Sequence, residues 1–484
     1  MSIVDEDFLD ERLGKIEHVA PWSPRTLSKF ETFIRSAEDH QLFKIDPQQY
    51  AREKGLKEKE ACDLFLHATR LGIFDIQWGL VCPMCGDTVE SFATLRKLDS
   101  HFHCSICSAV TTAALDDYIM ISYVVSPRVR HIAYHQPGTL NVVDYWLKYR
   151  FNRQWRQKRG GKPIADLFIA ATRAAVGVAA HGRSEIDVAL TPGYLKIFDM
   201  VQERVFTVLV REPGEAAPQA LNLIYAGAEA TASSDTVATG TVKLHVENHG
   251  ETPTTLAIAN IDADTLDGGV EIDPFYTAKQ LLNSQTFRNL FSSEVILEAE
   301  GIGIRDITLL FTDLKGSTAM YDRIGDLQAF SLVRQHFESL TGVVVQNNGA
   351  IVKTIGDAVM ASFTSPLDGL LAALQMLKEI EAFNAARGSS DLVLKVGLHH
   401  GAAIAVTLND RLDFFGQTVN IAARVQGLAD EDEIYITRDV YEYPGVTEVL
   451  AGFDVVAEQS QLKGIAESVS VHRVHVQPGA AARS

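Results

Sequence analysis

Basic charge, cysteine and long apolar runs are all in short supply in this chain, and each shortage excludes something. Lys and Arg number 44 against 62 Asp and Glu, a formal net charge of −18. A protein that coats nucleic acid or anionic membrane needs a basic face to release counterions, so neither is expected as the main partner, although one local basic site remains possible. The most apolar long stretch, Ile164 to Gly182, is interrupted by Asp166 and Arg173, which makes a bilayer span costly. The opening MSIVDEDFLDERLG lacks the basic, apolar, small-residue order of a signal peptide, so the cytoplasm is the expected compartment. Cysteines number five, and four of them form two CxxC pairs, which suits metal binding in a reducing compartment better than a disulfide framework.

What is present is ample for several cores: 484 residues, 46% apolar, predict about three domains and exclude global disorder. Residues 1–75 read as helical, with apolar positions three and four apart in Ser28 to Ser36 and Glu58 to Leu71. Around Ile45 to Ile76 a winged-helix-like unit and a plain helical packing element both fit the pattern. Region 76–160 contains Cys82-Pro-Met-Cys85 and, eighteen residues on, Cys104-Ser-Ile-Cys107. Two such knuckles place four thiolates around one tetrahedral Zn²⁺, a closed structural site. His101 and His103 beside them read as surface or outer residues, since four cysteines fill the coordination sphere. An apolar run from Tyr118 reads as a strand, and the basic cluster Arg150 to Lys162, with Trp155 inside it, reads as a solvated linker rather than an RNA or phosphate contact.

Region 161–275 alternates apolar and polar residues in short segments, such as Val205 to Val210 and Thr241 to Val246, which predicts a β-rich sandwich or barrel. Its acidic turn, Asp262 to Asp267, does not match a calcium loop. A helical linker, 276–304, is expected from a segment beginning at Phe275 and running to about Glu300.

The richest region is 305–475, followed by a tail, 476–484. Ile307 to Phe311 reads as a buried strand delivering Asp313 at its end, and Gly316-Ser317-Thr318 opens a helix carrying Tyr321 to Val345. A strand-end carboxylate followed by free N–H groups at a helix start suits a metal and a nucleotide phosphate. Ala350 to Ile355 and Ala358 to Phe363 form a hairpin with Asp357 at its tip. A ferredoxin-like arrangement brings Asp357 beside Asp313, and two carboxylates sharing two divalent ions suit in-line displacement at phosphorus.

Three ordered motifs then resemble the class III nucleotidyl cyclase catalytic domain: Phe311-Thr-Asp313-Leu-Lys-Gly316-Ser-Thr318, Lys353-Thr-Ile-Gly356-Asp357, and Leu412-Asp413-Phe-Phe-Gly416-Gln-Thr-Val-Asn420-Ile-Ala-Ala-Arg424. The resemblance implies metal binding by Asp313 and Asp357, with Leu314 beside them, and two Mg²⁺ or Mn²⁺ per active site. It implies base reading by Lys353 and Asp413, ribose and transition-state phosphate contacts from Asn420 and Arg424, and a terminal-phosphate grip from Lys463. Gly316, Ser317 and Thr318 are the expected phosphate-facing residues. Phe415 stands where many members carry Trp. Lys353 as donor and Asp413 as acceptor match adenine, so the expected reaction is that of an adenylate cyclase: ATP to 3′,5′-cyclic AMP and pyrophosphate. A homodimer is implied, since the family builds its site from two such domains. The alternatives are an ATP-sensing or scaffold protein bearing a zinc ribbon, and a cyclase for another nucleotide. The first two thirds of the chain, notably Thr277 to Phe291, resembles the extra region upstream of some bacterial cyclases, read as regulatory with its ligand or partner open. The expected class is therefore α+β multidomain: N-terminal helices with a zinc ribbon, a central β-rich domain and a C-terminal ferredoxin-like α/β cyclase domain.

Overall fold

The computed structural model describes residues 4–476 apart from 98–100, 113, 117, 152–154, 159, 213–217, 227–228, 263–268, 293–295, 297–300, 390–391 and 432. The chain divides into two units. One comprises Met1–Ala93, Asp99–Ala113 and Tyr118–Tyr276; the other comprises Thr94–Leu98, Ala114–Asp117 and Thr277–Ser484.

In the first unit, Asp5, Ser23 and Asp46 cap the helices Glu6–Ile16, Pro24–Ser36 and Pro47–Lys54 by accepting first-turn backbone N–H bonds. Gly55, at φ +61°, ends the third helix, and Glu58–Arg70 follows. Their apolar faces meet in an aromatic core of Phe30, Tyr50, Phe65, Phe74 and Tyr123, all buried. A three-stranded sheet, ordered Thr88–Phe92, Phe74–Val81, Ile119–Val125, continues from it. The β-rich segment is a sandwich of a five-stranded and a four-stranded sheet, with Leu195, Ile197, Leu223, Leu244 and Leu256 between them.

Two expectations are corrected within this unit. The apolar stretch from Ile164 is a helix, Ile164–Ala171, running straight into a strand, Thr172–Val178. The basic cluster is not simply a solvated linker: Arg150 is buried with its Nη2 donating to Asp87 Oδ2 at 2.6 Å, and Trp155 is buried too, because a buried carboxylate requires a paired cation. The remainder of that cluster at 152–154 and 159, like most of the acidic turn Asp262 to Asp267, lies outside the described residues.

The second unit carries short helices α1 (Ala278–Leu282) and α2 (Gln285–Leu290), then β1 (Ile302–Leu314), α3 (Ser317–Ile324), α4 (Asp326–Gln346), β2 (Ala350–Ile355), β3 (Ala358–Phe363), α5 (Pro366–Arg387), β4 (Leu394–Leu408), β5 (Arg411–Phe415), α6 (Gln417–Gln426) and β6 (Glu433–Thr437). It closes with α7 (Arg438–Tyr441), α8 (Val446–Leu450), β7 (Asp454–Ser460) and β8 (Val469–His475). The sheet order is β2-β3-β1-β4-β6-β8-β7, with β5 hairpinned onto β4. Its first four members reproduce the ferredoxin-like order, with α4 and α5 burying Leu340, Val344, Leu370 and Leu374 in its core. The expected helix from Phe275 to Glu300 is instead the pair α1 and α2. Asn283 and Ser284 break it, Ser284 Oγ capping α2 by accepting from Phe287 N–H at 3.3 Å. The helix expected over Tyr321 to Val345 is likewise split into α3 and α4 at Gly325, whose φ is +80°.

Candidate active site

Strand β1 is buried along most of its length, and its register against β3 pairs Thr312 with Val359. Thr312 Oγ1 also accepts the Val359 N–H at 3.2 Å. Antiparallel geometry therefore brings the next residue, Asp313, to the start of β3, beside the Gly356–Asp357 turn. The two carboxylates interact: burial raises the Asp313 pKa first, the charge of Asp357 raises it further, and Lys395, its register partner on β4, opposes both. Asp357 Oδ2 is buried without a hydrogen-bond partner. Two facing carboxylates, one with an orphaned oxygen, fit a divalent cation. Leu314 is buried at the end of β1, and Gly316, at φ +71°, starts α3 with Ser317 and Thr318 in its first turn.

A second pair forms across β2 and β5. Lys353 Nζ donates to Asp413 Oδ2 at 2.5 Å, while Asp413 Oδ1 accepts the Phe414 N–H at 2.8 Å. Asp413 is buried and Lys353 is partly exposed. The register of β2 against β3 shifts between Ile351 and Lys353, a bulge that re-aims the lysine.

A third group stands on α6. Asn420 and Arg424 are exposed and one turn apart, so they share a face. The opposite face of α6 packs close to β4: a Cβ on Gly397 would stand 2.2 Å from Gln426 N. Val425 belongs to one buried cluster with Leu462, which keeps the Lys463-Gly464 turn with the helix that carries Arg424; Lys463 itself is exposed. Among the described residues no hydrogen bond or ion pair joins the carboxylate pair to Lys353 and Asp413, or either pair to α6.

Sequence reasoning missed Lys395, His336 and Arg288. His336 is fully buried on α4 with neither ring nitrogen partnered, and burial lowers its pKa to about 4 against the opposing charge of Asp357. A histidine in a helical apolar pattern carries no signal of that neighbour. Lys395 is legible only once the β1–β4 register is known.

The cysteines of the first unit converge. Their four sulfur atoms lie within 4.8 Å of one another, a separation compatible with a tetrahedral ion at about 2.3 Å from each. The two knuckles repeat one turn: Gly86 N–H donates to Cys82 O and Ser108 N–H to Cys104 O, with Gly86 and Ser108 both at positive φ. His101 and His103 are exposed on the adjoining strand. Among the described residues no helix is long and apolar enough to cross a membrane.

Comparison with known proteins finds two family models on the chain. A family of unknown function, DUF5939, matches residues 13–289, and the adenylate and guanylate cyclase catalytic domain matches residues 302–472. An adenylate cyclase of Anabaena cylindrica is 27% identical over 196 residues, 37% of this chain and 38% of its own length. Adenylate cyclase 2 of Rhizobium meliloti is 33% identical over 133 residues, 25% of this chain and 36% of its own. The chain thus spans less than two fifths of either relative. The crystal structure of the adenylyl cyclase CyaB from P. aeruginosa aligns with 37% of this chain and 97% of its own, at 18% identity and a TM-score of 0.32.

Proposed function

Because the chain belongs to the DUF5939 family and carries a class III cyclase catalytic domain after that region, we propose that it converts ATP to 3′,5′-cyclic AMP and pyrophosphate as a homodimer. The observation that carries the choice of nucleotide is the Lys353–Asp413 pair. A lysine donor and a carboxylate acceptor suit N1 and the exocyclic amine of adenine. Guanine reverses both demands and would leave buried polar groups unpaired, a penalty that separates substrates strongly.

Asp313, the Leu314 carbonyl and Asp357 would hold two divalent ions, Mg²⁺ or Mn²⁺, which when bound lower the pKa of the ribose 3′-hydroxyl and offset phosphate charge. The orphaned Asp357 Oδ2 supports that assignment. The N–H groups after Gly316, at the start of α3, serve phosphate oxygens. Asn420 orients the ribose so that its 3′-oxygen forms a bond to the α-phosphorus as the bridge to the β-phosphate breaks. Arg424 offers a planar fork to the charge that builds on the α-phosphate, and Lys463 a point charge to the departing pyrophosphate. A dimer is supported by two features of the catalytic unit: the α6 pair is unconnected to the carboxylates, and Ile355, Phe415, Leu327 and Phe330 present exposed apolar surface. The cysteine cluster would hold a structural Zn²⁺, four thiolates leaving no open position for chemistry.

The test is purified full-length protein with ATP and Mg²⁺ or Mn²⁺, assayed for cyclic AMP. Product in the dimer fraction is expected. A folded dimer without product overturns the activity, and a higher kcat/KM with GTP, CTP or UTP overturns the substrate.

A further inference from the structure

The short helix α2 precedes the catalytic strands, and its side chains reach both halves of the base-reading pair. Gln285 Oε1 accepts the Ile351 N–H at 2.7 Å, at the start of the β2 irregularity that ends on Lys353. One turn along, Arg288 Nη1 donates to Leu412 O at 3.0 Å and its guanidinium lies 5.3 Å from the centre of the Phe414 ring. Arg288 is thus bonded to the residue before Asp413 and stacked on the residue after it. Its Nε donates to Leu282 O at 2.8 Å, which fixes the side chain to α1, and its Nη2 is buried with no partner.

Charge adds to the geometry. Burial pulls the Arg288 pKa down to about 10, against the opposing charge of Asp413, and the group remains a cation at neutral pH. Asp413 has Lys353 on one oxygen. When a purine arrives, Lys353 must divide its donors between the base and the carboxylate. Arg288, fixed on the residues either side of Asp413, then gives that buried carboxylate a second cation of set position.

We propose that Arg288 is a positioning and specificity-determining residue for nucleotide recognition, holding Asp413 in place so that it accepts from the 6-amino group of the base. The inference rests on the adenine reading above. It assigns Arg288 no contact with the reacting phosphate; the residue acts through Asp413.

The experiment compares full-length wild type, Arg288→Ala, Arg288→Lys and Gln285→Ala. For each, the ATP:GTP ratio is measured twice, as kcat/KM and as Kd, with thermal unfolding as the check on folding. In Arg288→Ala the ATP:GTP ratio is expected to fall about tenfold, mostly through KM for ATP. Arg288→Lys, which keeps the charge, should recover most of that loss, and Gln285→Ala should show a smaller fall of about threefold. A merely structural role would reduce the two nucleotides together, so an unchanged ratio in a folded Arg288→Ala overturns the inference. If Arg288→Ala does not fold, the neutral and longer Arg288→Gln takes its place: a wild-type ratio in folded Arg288→Gln overturns the inference. A wild type that makes no cyclic nucleotide, or prefers GTP, defeats the functional reading instead, and Arg288 is then judged by whether the Kd ratio moves.

Discussion

His336 and His399 are buried histidines of the catalytic unit, and burial brings both pKa values from the ordinary 6.5 to about 4. Both are therefore neutral in the folded chain, while the unfolded chain binds protons on them below about 6.5. Their contribution to stability is complete above that pH and is lost as pH falls toward 4. The loss is on the order of 3 kcal/mol for each at the low end, from about 1.4 kcal/mol per unit of displaced pKa. Urea unfolding of the full chain between pH 7.5 and 4.5 should show this decline, and His336→Leu should flatten it while leaving neutral stability near wild type, because neither ring nitrogen has a partner to lose. An equally steep decline in the variant would count against the assignment. At this scale Lys353 and Asp413 are legible from their motifs, since their chemistry is a donor and an acceptor wherever they stand. Arg150 is not legible: among neighbouring basic residues it reads as solvated, and only the fold brings Asp87 to it across 63 positions.

Helix α6 shows what an element needs beyond its motif. Its spacing predicts Asn420 and Arg424 on one face, and they stand there. Its seat on β4 depends on Gly397, where a side chain has no room, and a lone glycine inside a strand pattern does not announce which backbone approaches it. Gly397→Ala should displace the end of α6 next to Arg424. The expected cost is about 1–3 kcal/mol in thermal unfolding and at least a tenfold drop in kcat. Gly342→Ala on α4, with nothing within 4 Å of the added methyl, is the matched control and should hold or gain stability. The strands β1, β2 and β3 around the site follow from apolar runs and turn residues, whereas β4, Leu394–Leu408, is seen only in the fold. The helix boundaries at Asn283 and Gly325 are not legible either, because single-residue breaks within an apolar periodicity are decided by what the two segments pack on.

The dimer proposed above, if it shares its two active sites, predicts complementation. Mixing inactive Asp313→Ala and Arg424→Ala chains should restore about one functional site per heterodimer, measured as cyclic AMP formation against the separate variants. Continued silence with both variants dimeric would sink the shared-site arrangement. In the first unit, elemental analysis should find about one zinc per chain, and Cys85→Ser should lose it together with protection of the Cys82–Cys107 segment from proteolysis. The catalytic unit also recruits two residues from far upstream: Leu115 N–H donates to Gly303 O, Lys279 N–H donates to Leu115 O, and Arg305 N–H donates to the Asp116 carboxylate, 189 positions away. During synthesis these residues leave the ribosome long before their partners exist. Leu115 and Asp116 therefore have to wait for the start of β1 to be made before they find these partners. A polypeptide begun at Thr277 would be made without those two residues, and would carry the Gly303 carbonyl and the Lys279 and Arg305 amides into solution with water in their place.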